Sequence, residues 1–216
     1  MTINIKESVY ARNNKLATEF NKVLTEEGIF CVNVLGAPGV GKTTTLLQIL
    51  QILKTLNTQA AVIEGDIESD IDTKKLKSLG FSAVQINTGG ACHLDAPVVE
   101  DAFAELSFTD GFLFIENIGN LVCPVQYMLG EHIKLLICAT TDGSDKPYKY
   151  PAAFEKADII LLNKCDLLDY INFDMEFFMD GISKLNPKAN VFKVSAQSGD
   201  GFDEVVEWLQ KRAHTM

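Results

Sequence analysis

Apolar residues in this chain fall into short unbroken runs, separated by stretches with helical spacing. Ile29-Phe30-Cys31-Val32-Asn33-Val34-Leu35, Phe112-Leu113-Phe114-Ile115 and Ile159-Ile160-Leu161-Leu162 are such runs. A strand that is apolar on both faces is covered on both, the pattern of a parallel sheet between helix layers. Strand candidates begin near Phe30, Ala60, Ala83, Gly111, Ile133, Asp158 and Asn190. Helical patterns lie between most of them, over Thr43–Thr55, Ile71–Leu79, Leu94–Leu106, Met175–Leu185 and Asp203–Lys211. Ahead of the first strand, residues from about Ile5 to Glu27 read as an amphipathic helix with Val9, Leu16, Phe20, Val23 and Leu24 on one side. The alternation predicts a doubly wound α/β fold with a mostly parallel sheet and helices on both faces. One domain over residues 1–216 is expected, with no repeat, low-complexity stretch or linker. Ligands of such folds sit beyond the carboxyl ends of the strands, so the chemistry is to be sought there.

The first strand runs into Gly36-Ala37-Pro38-Gly39-Val40-Gly41-Lys42-Thr43, which fits G-x-x-x-x-G-K-[ST]. Strand before and helix after are the context that makes this pattern a phosphate-binding loop. Its glycines let backbone N–H groups converge on phosphate oxygens at a helix N-terminus. Lys42 reaches the outer phosphates and the Thr43 hydroxyl binds Mg²⁺. Gly36, Gly39, Val40, Gly41, Lys42, Thr43 and Thr44 form the expected phosphate-side contacts.

Another strand runs into Asn163-Lys164-Cys165-Asp166. A carboxylate only accepts hydrogen bonds. Guanine offers two adjacent donors to it and adenine lacks the ring N–H, so Asp166 selects guanine, with the Lys164 stem over the base. Ser195-Ala196, after a further strand, resembles the last guanine-contacting loop of GTPases. GTP or GDP is therefore the expected nucleotide.

Two more strand ends carry acids: Glu64-Gly65-Asp66 and Glu116-Asn117. Mg²⁺ takes one or two carboxylates with phosphates and water. Asp66 is the first candidate to hold Mg²⁺ or orient the attacking water, and Glu116 the second, as the Walker-B equivalent. Spacing does not separate their roles. The acidic run Asp66 to Asp72 is either a mobile switch or the capped start of a helix.

Cys92-His93 lies in a strand-to-helix loop, and Cys123 lies seven residues beyond Glu116. Thiolate and imidazole suit both Ni²⁺ and Zn²⁺. These three do not fill a four-coordinate site, so water, another side chain or a second subunit supplies the rest; a homodimer with the site on its two-fold axis would do so. Against this stands the ordinary fate of a free cysteine, which is burial. Cys31, Cys138 and Cys165, in or beside apolar strands, are expected in the core; so is Trp208. His132 and His214 are expected on the surface.

The formal net charge of −10 argues against a broad nucleic-acid or anionic-membrane surface. No apolar stretch has membrane-spanning length and the N-terminus lacks a signal-peptide core, so a cytoplasmic protein is expected. Five cysteines at irregular spacing do not look like a disulfide framework.

With these segments assembled, the chain resembles the hydrogenase nickel-incorporation GTPases, the HypB family of SIMIBI-class P-loop GTPases. The resemblance rests on Gly36 to Thr43, Ile63-Glu64-Gly65-Asp66, Gln85 to Gly89, Cys92-His93-Leu94-Asp95-Ala96, Ile115 to Pro124, Asp145 to Pro151 and Asn163 to Asp166, in colinear order. Urease nickel chaperone GTPases look alike but carry Cys-Pro-His, where this chain has Cys123-Pro124-Val125. The resemblance implies a slow GTPase that dimerises on GTP and holds metal across the interface. It also implies a HypA-like metallochaperone partner and delivery of nickel to the [NiFe]-hydrogenase large subunit. Carried over, Cys92, His93 and Cys123 are metal ligands, Lys42, Thr43, Asp66 and Glu116 serve phosphate, Mg²⁺ and hydrolysis, and Asn163, Lys164 and Asp166 hold guanine. The chain departs from the family in two places. No Cys precedes Cys31 and no His precedes His93, so a separate N-terminal nickel store is not expected. Gly89-Gly90-Ala91 also lacks the lysine common before the Cys-His pair. The competing readings are a urease-type or other nickel-enzyme maturation GTPase, a metal buffer with a passive nucleotide, and a signalling GTPase with structural cysteines.

Overall fold

A computed structural model describes the backbone of residues 5–216 and the side chains of residues 10–216. Val9, assigned to the apolar side of the first helix, lies outside the described side chains. Seven strands, β1 (Ile29–Gly36), β2 (Ala60–Asp66), β3 (Ser82–Asn87), β4 (Gly111–Glu116), β5 (Ile133–Ala139), β6 (Ile159–Asn163) and β7 (Asn190–Lys193), form one sheet in the order β3-β2-β4-β1-β5-β6-β7. Every pairing is parallel, so the sheet is fully rather than mostly parallel. The connecting helices are α1 (Ile5–Glu26), α2 (Lys42–Thr55), α3 (Ile71–Ser78), α4 (Ala96–Ala104), α5 (Lys146–Lys149), α6 (Pro151–Glu155), α7 (Met175–Leu185) and α8 (Phe202–Ala213). The short α5 and α6 carry no legible amphipathic period, and the fourth helix is shorter than its apolar pattern. It starts only after Asp95, whose side chain accepts the Val98 N–H at 3.2 Å.

Period two along β1 divides the core. Val32 and Val34 face Leu46, Leu50, Phe202 and Val206 from α2 and α8. Cys31 faces Phe20 and Leu24 of α1 and Val99 of α4. Beyond β5, Cys138 and Ile160 meet Phe154 and Phe178. Cys31 and Cys138 are thus core residues, whereas Cys165 is half-buried with its thiol on the Leu162 carbonyl at 3.1 Å. Trp208 is half-buried, its ring under Arg212.

Two assignments are corrected. The buried side of α1 runs through Asn13, Ala17, Phe20 and Leu24, and Val23 is 44% exposed. Val23 follows about 100° before Leu24 around the helix, which turns it outward. His132 is not a free surface residue: its Nδ1 accepts the Cys31 N–H at 2.9 Å, its Nε2 meets the Thr25 hydroxyl at 2.9 Å, and its ring stacks on Phe30.

A polar chain crosses the α1 side of the sheet. Asn33, fully buried in β1, accepts from Asn117 Nδ2 at 3.1 Å and donates to Glu131 Oε1 at 3.3 Å. Glu131 also takes the Leu129 N–H at 2.5 Å and pairs with Lys134, itself largely buried. Burial holds Lys134 down at about 8, below the usual lysine range. Removing one partner of such a pair strands a charge, at a cost of about 3–5 kcal/mol. Glu131→Ala is therefore expected to lower the unfolding free energy by about that amount in urea titration. A change below about 1 kcal/mol would show that the pair is dispensable.

Candidate functional site

The phosphate loop leaves β1 at Gly36 and enters α2 at Lys42, with Gly41 as N-cap. Gly41 has φ +91°, and a Cβ there would stand 2.8 Å from Asn163 Nδ2, so only glycine fits. A cleft of about 410 Å³ opens over the loop, lined by Gly39, Lys42, Thr43, Glu64, Asp66 and Glu116 among others. A second of about 420 Å³, lined by Gly41, Thr44, Asn163, Lys164, Asp166 and Ala196, adjoins it. Gly41 lines both, so phosphates and base would straddle it.

In the base cleft Asn163 is a clamp. Its Nδ2 donates to the Val40 carbonyl at 2.9 Å and its Oδ1 accepts the Ala196 N–H at 3.0 Å. Lys164, left-handed at φ 62°, reaches back to the Gly39 carbonyl at 2.8 Å. Ser195 donates to Asp166 Oδ1 at 2.6 Å and so orients that carboxylate. Sequence patterns missed Thr140, which donates to the Lys164 carbonyl at 2.7 Å, and Gln48, which donates to the Ala196 carbonyl at 2.9 Å. Neither belongs to a short motif.

In the phosphate cleft Thr43 donates to Glu116 Oε1 at 3.0 Å. Asp66, half-exposed at the end of β2, accepts the Glu68 and Ser69 N–H groups. The acidic run is thus a turn leading into α3. The residue not singled out is Glu64, opposite Glu116 in the β2–β4 register and only 3% exposed. Strand alternation carried the signal, since Glu64 shares a face with Asp66. Burial first, and then the Glu116 carboxyl beside it, push Glu64 up to about 10. Burial also raises Glu116, against the pull of Glu64, Lys42 and Thr43. Glu64 Oε1 and Glu116 Oε2 find no donor among the remaining described residues. Two such oxygens, on residues that line one cleft with Thr43, fit a hard divalent cation with phosphate and water ligands. Mg²⁺ bound there would supply the charge that lets both carboxyls ionise.

The metal-ligand candidates lie on two loops at the same rim. The neighbouring Cys123 thiol, and then burial, raise the Cys92 pKa, and the Cys92 thiol lies 3.5 Å from His93 Nδ1. The His93 ring stacks on Tyr127 with centroids 3.8 Å apart. Among the described residues no three His, Cys, Asp or Glu side chains converge as a metal site. The structure therefore brings the two thiols together but gives no closed three-ligand shell within one chain. Asn120 ties the loops to the phosphate loop. Its backbone bridges Gly36, its side chain donates to the Cys92 carbonyl at 3.4 Å, and its Oδ1 accepts the Val122 N–H at 2.8 Å.

The all-parallel sheet, the glycine loop at its central strand and the clefts on either side of that loop define a P-loop nucleotide-binding protein. The CobW/HypB/UreG nucleotide-binding domain matches residues 30–193. The hydrogenase maturation factor HypB of Azotobacter chroococcum mcd 1 is 42% identical over 211 residues, 97% of this chain and 69% of that protein. The hydrogenase/urease maturation factor HypB of Helicobacter pylori (strain J99) is 35% identical over 216 residues, 97% of this chain and 88% of that protein. The crystal structure of Helicobacter pylori HypB in complex with nickel superposes with TM-score 0.90 at 33% identity, covering 94% of this chain and 96% of that one. The chain belongs to the CobW/HypB/UreG family and, within it, to the HypB group.

Two measurements probe the cleft. Asn163→Ala cuts both ties across Gly41; loss of about 1–3 kcal/mol predicts a Kd for a fluorescent guanine nucleotide weaker by roughly 5- to 150-fold, and an unchanged Kd would show that the clamp is idle. Glu64→Gln tests the buried carboxyl. A group raised in the folded state contributes stability below its unfolded pKa, about 4.3, and loses it as pH climbs toward its folded value. The nucleotide-free variant should therefore melt above the parent by a margin that is nil near pH 4 and widens toward pH 9. A margin that does not change with pH would contradict a protonated Glu64.

Proposed function

We propose that this chain is a GTP-hydrolysing nickel carrier that helps insert nickel into [NiFe]-hydrogenase. Lys42 and the loop from Gly36 to Thr44 bind the phosphates, and Asn163, Lys164, Asp166, Ser195 and Ala196 bind guanine. Thr43 and Glu116 hold Mg²⁺, and Asp66 completes its shell or aligns the attacking water. Nickel, or zinc in its place, is cargo on Cys92, His93 and Cys123, with the shell completed by a second copy of the chain when GTP is bound. Residues 1–216 act as one domain with α1 as its N-terminal helix, working in the cytoplasm with a HypA-like metallochaperone and the hydrogenase large subunit. Among the described residues no helix is long and apolar enough to cross a membrane.

The observation that carries the reading is Asn120, whose backbone pairs with the first glycine of the phosphate loop while its side chain holds the Cys92 carbonyl. A γ-phosphate that shifts the loop acts on both thiol-bearing segments through that one residue. The nickel-bound Helicobacter pylori relative supports the cargo. The hydrogenase/urease maturation factor of Helicobacter pylori favours, as a second reading, service to more than one nickel enzyme.

Light scattering with GDP or a nonhydrolysable GTP analogue, each with and without one equivalent of Ni²⁺, tests the reading. A dimer is expected with the analogue, its bound nickel lost in Cys123→Ala. A monomer in every condition would overturn the shared site and leave a buffer or a signalling GTPase.

A further inference from the structure

We infer that Asn13 of α1 is a positioning residue for the metal site, because its single amide group clamps the two thiol-bearing loops together. The inference rests on the proposed Cys92 and Cys123 site. Asn13 lies outside residues 30–193, the span shared with the family domain, and is 5% exposed. Its Nδ2 donates to the Met128 carbonyl at 2.9 Å, on the segment that follows Cys123. Its Oδ1 accepts the Ala96 N–H at 2.9 Å, the first residue of α4 and three beyond His93. An amide has one end of each kind, so one orientation satisfies both loops.

The Ala96 group has no easy substitute. The Ala96 N–H opens a helix and lacks an intrahelical acceptor, and Ala96 is fully buried. Further α1 side chains grip the same region. Tyr10 packs on Tyr127 with centroids 4.9 Å apart, and Tyr127 carries the His93 ring. Asn21 donates to the Gly130 carbonyl at 2.9 Å. Tyr10, Asn13, Ala17, Phe20 and Asn21 follow helical spacing, so one stripe of α1 fixes both ligand segments. Side chains that orient metal ligands from behind commonly govern affinity by 10- to 100-fold.

Ni²⁺ affinity is to be measured by competition with a chromophoric chelator, on wild type, Asn13→Ala, Asn13→Asp and Cys123→Ala, with GDP affinity alongside. The expected result for Asn13→Ala is about tenfold weaker nickel binding and a shifted thiolate-to-nickel absorption band, with GDP affinity unchanged. Asn13→Asp keeps the acceptor for Ala96 but loses the donor to Met128; it should also bind nickel more weakly, and it decides the matter if Asn13→Ala does not fold. Wild-type nickel affinity and band in the Asn13 variants, or nickel and GDP affinity falling together, would overturn the positioning role. Full nickel affinity in Cys123→Ala would instead overturn the site itself, and this inference with it.

Discussion

The hydrogen bond from Thr43 to Glu116 ties the first turn of α2 to the end of β4. It lies inside a fold whose strands are covered on both faces, so the carboxylate has little water to turn to. Everything at the rim is arranged around that constraint. Glu64 faces Glu116 across the strand pair, and burial leaves the two carboxyls competing for one hydroxyl, one lysine and one proton. The next residue, Asn117, begins the segment that reaches Cys123. Glu116 therefore stands where the phosphate loop and the cysteine-bearing segment meet.

That segment is not free to swing. Asn117 is held at its start and Glu131 at its end by the same buried Asn33. Between them Asn120 pairs with Gly36, while Asn13 and Asn21 grip the returning stretch from α1. These are amides with both a donor and an acceptor, in places where an apolar side chain would leave backbone groups unsatisfied. The polar residues inside this half of the molecule thus act as fasteners, and packing of Phe20, Leu24, Ile63 and Leu113 supplies the bulk of the cohesion.

The architecture was legible from the apolar runs, because parallel strands buried on both faces leave a period that local sequence preserves. The nucleotide loops were legible for a related reason: each is a contiguous word at a strand end. What escaped detection depends on contacts distant in sequence. Asn13 meets Met128 across 115 positions and Asn33 meets Glu131 across 98, and no spacing rule joins them. Strand alternation puts Glu64 on the face of Asp66, but its partner Glu116 lies on another strand and only the register with β4 reveals the carboxyl pair. His132 looked isolated because its partners, Cys31 and Thr25, lie on other elements.

The clamp at Asn163 has a mechanical consequence. It fastens the base loop at Ala196 to the phosphate loop at Val40, and Lys164 adds a second tie at Gly39. A displacement of the phosphate loop at Gly39 or Val40 therefore strains its ties to the loop at Ala196, so the two clefts are mechanically linked.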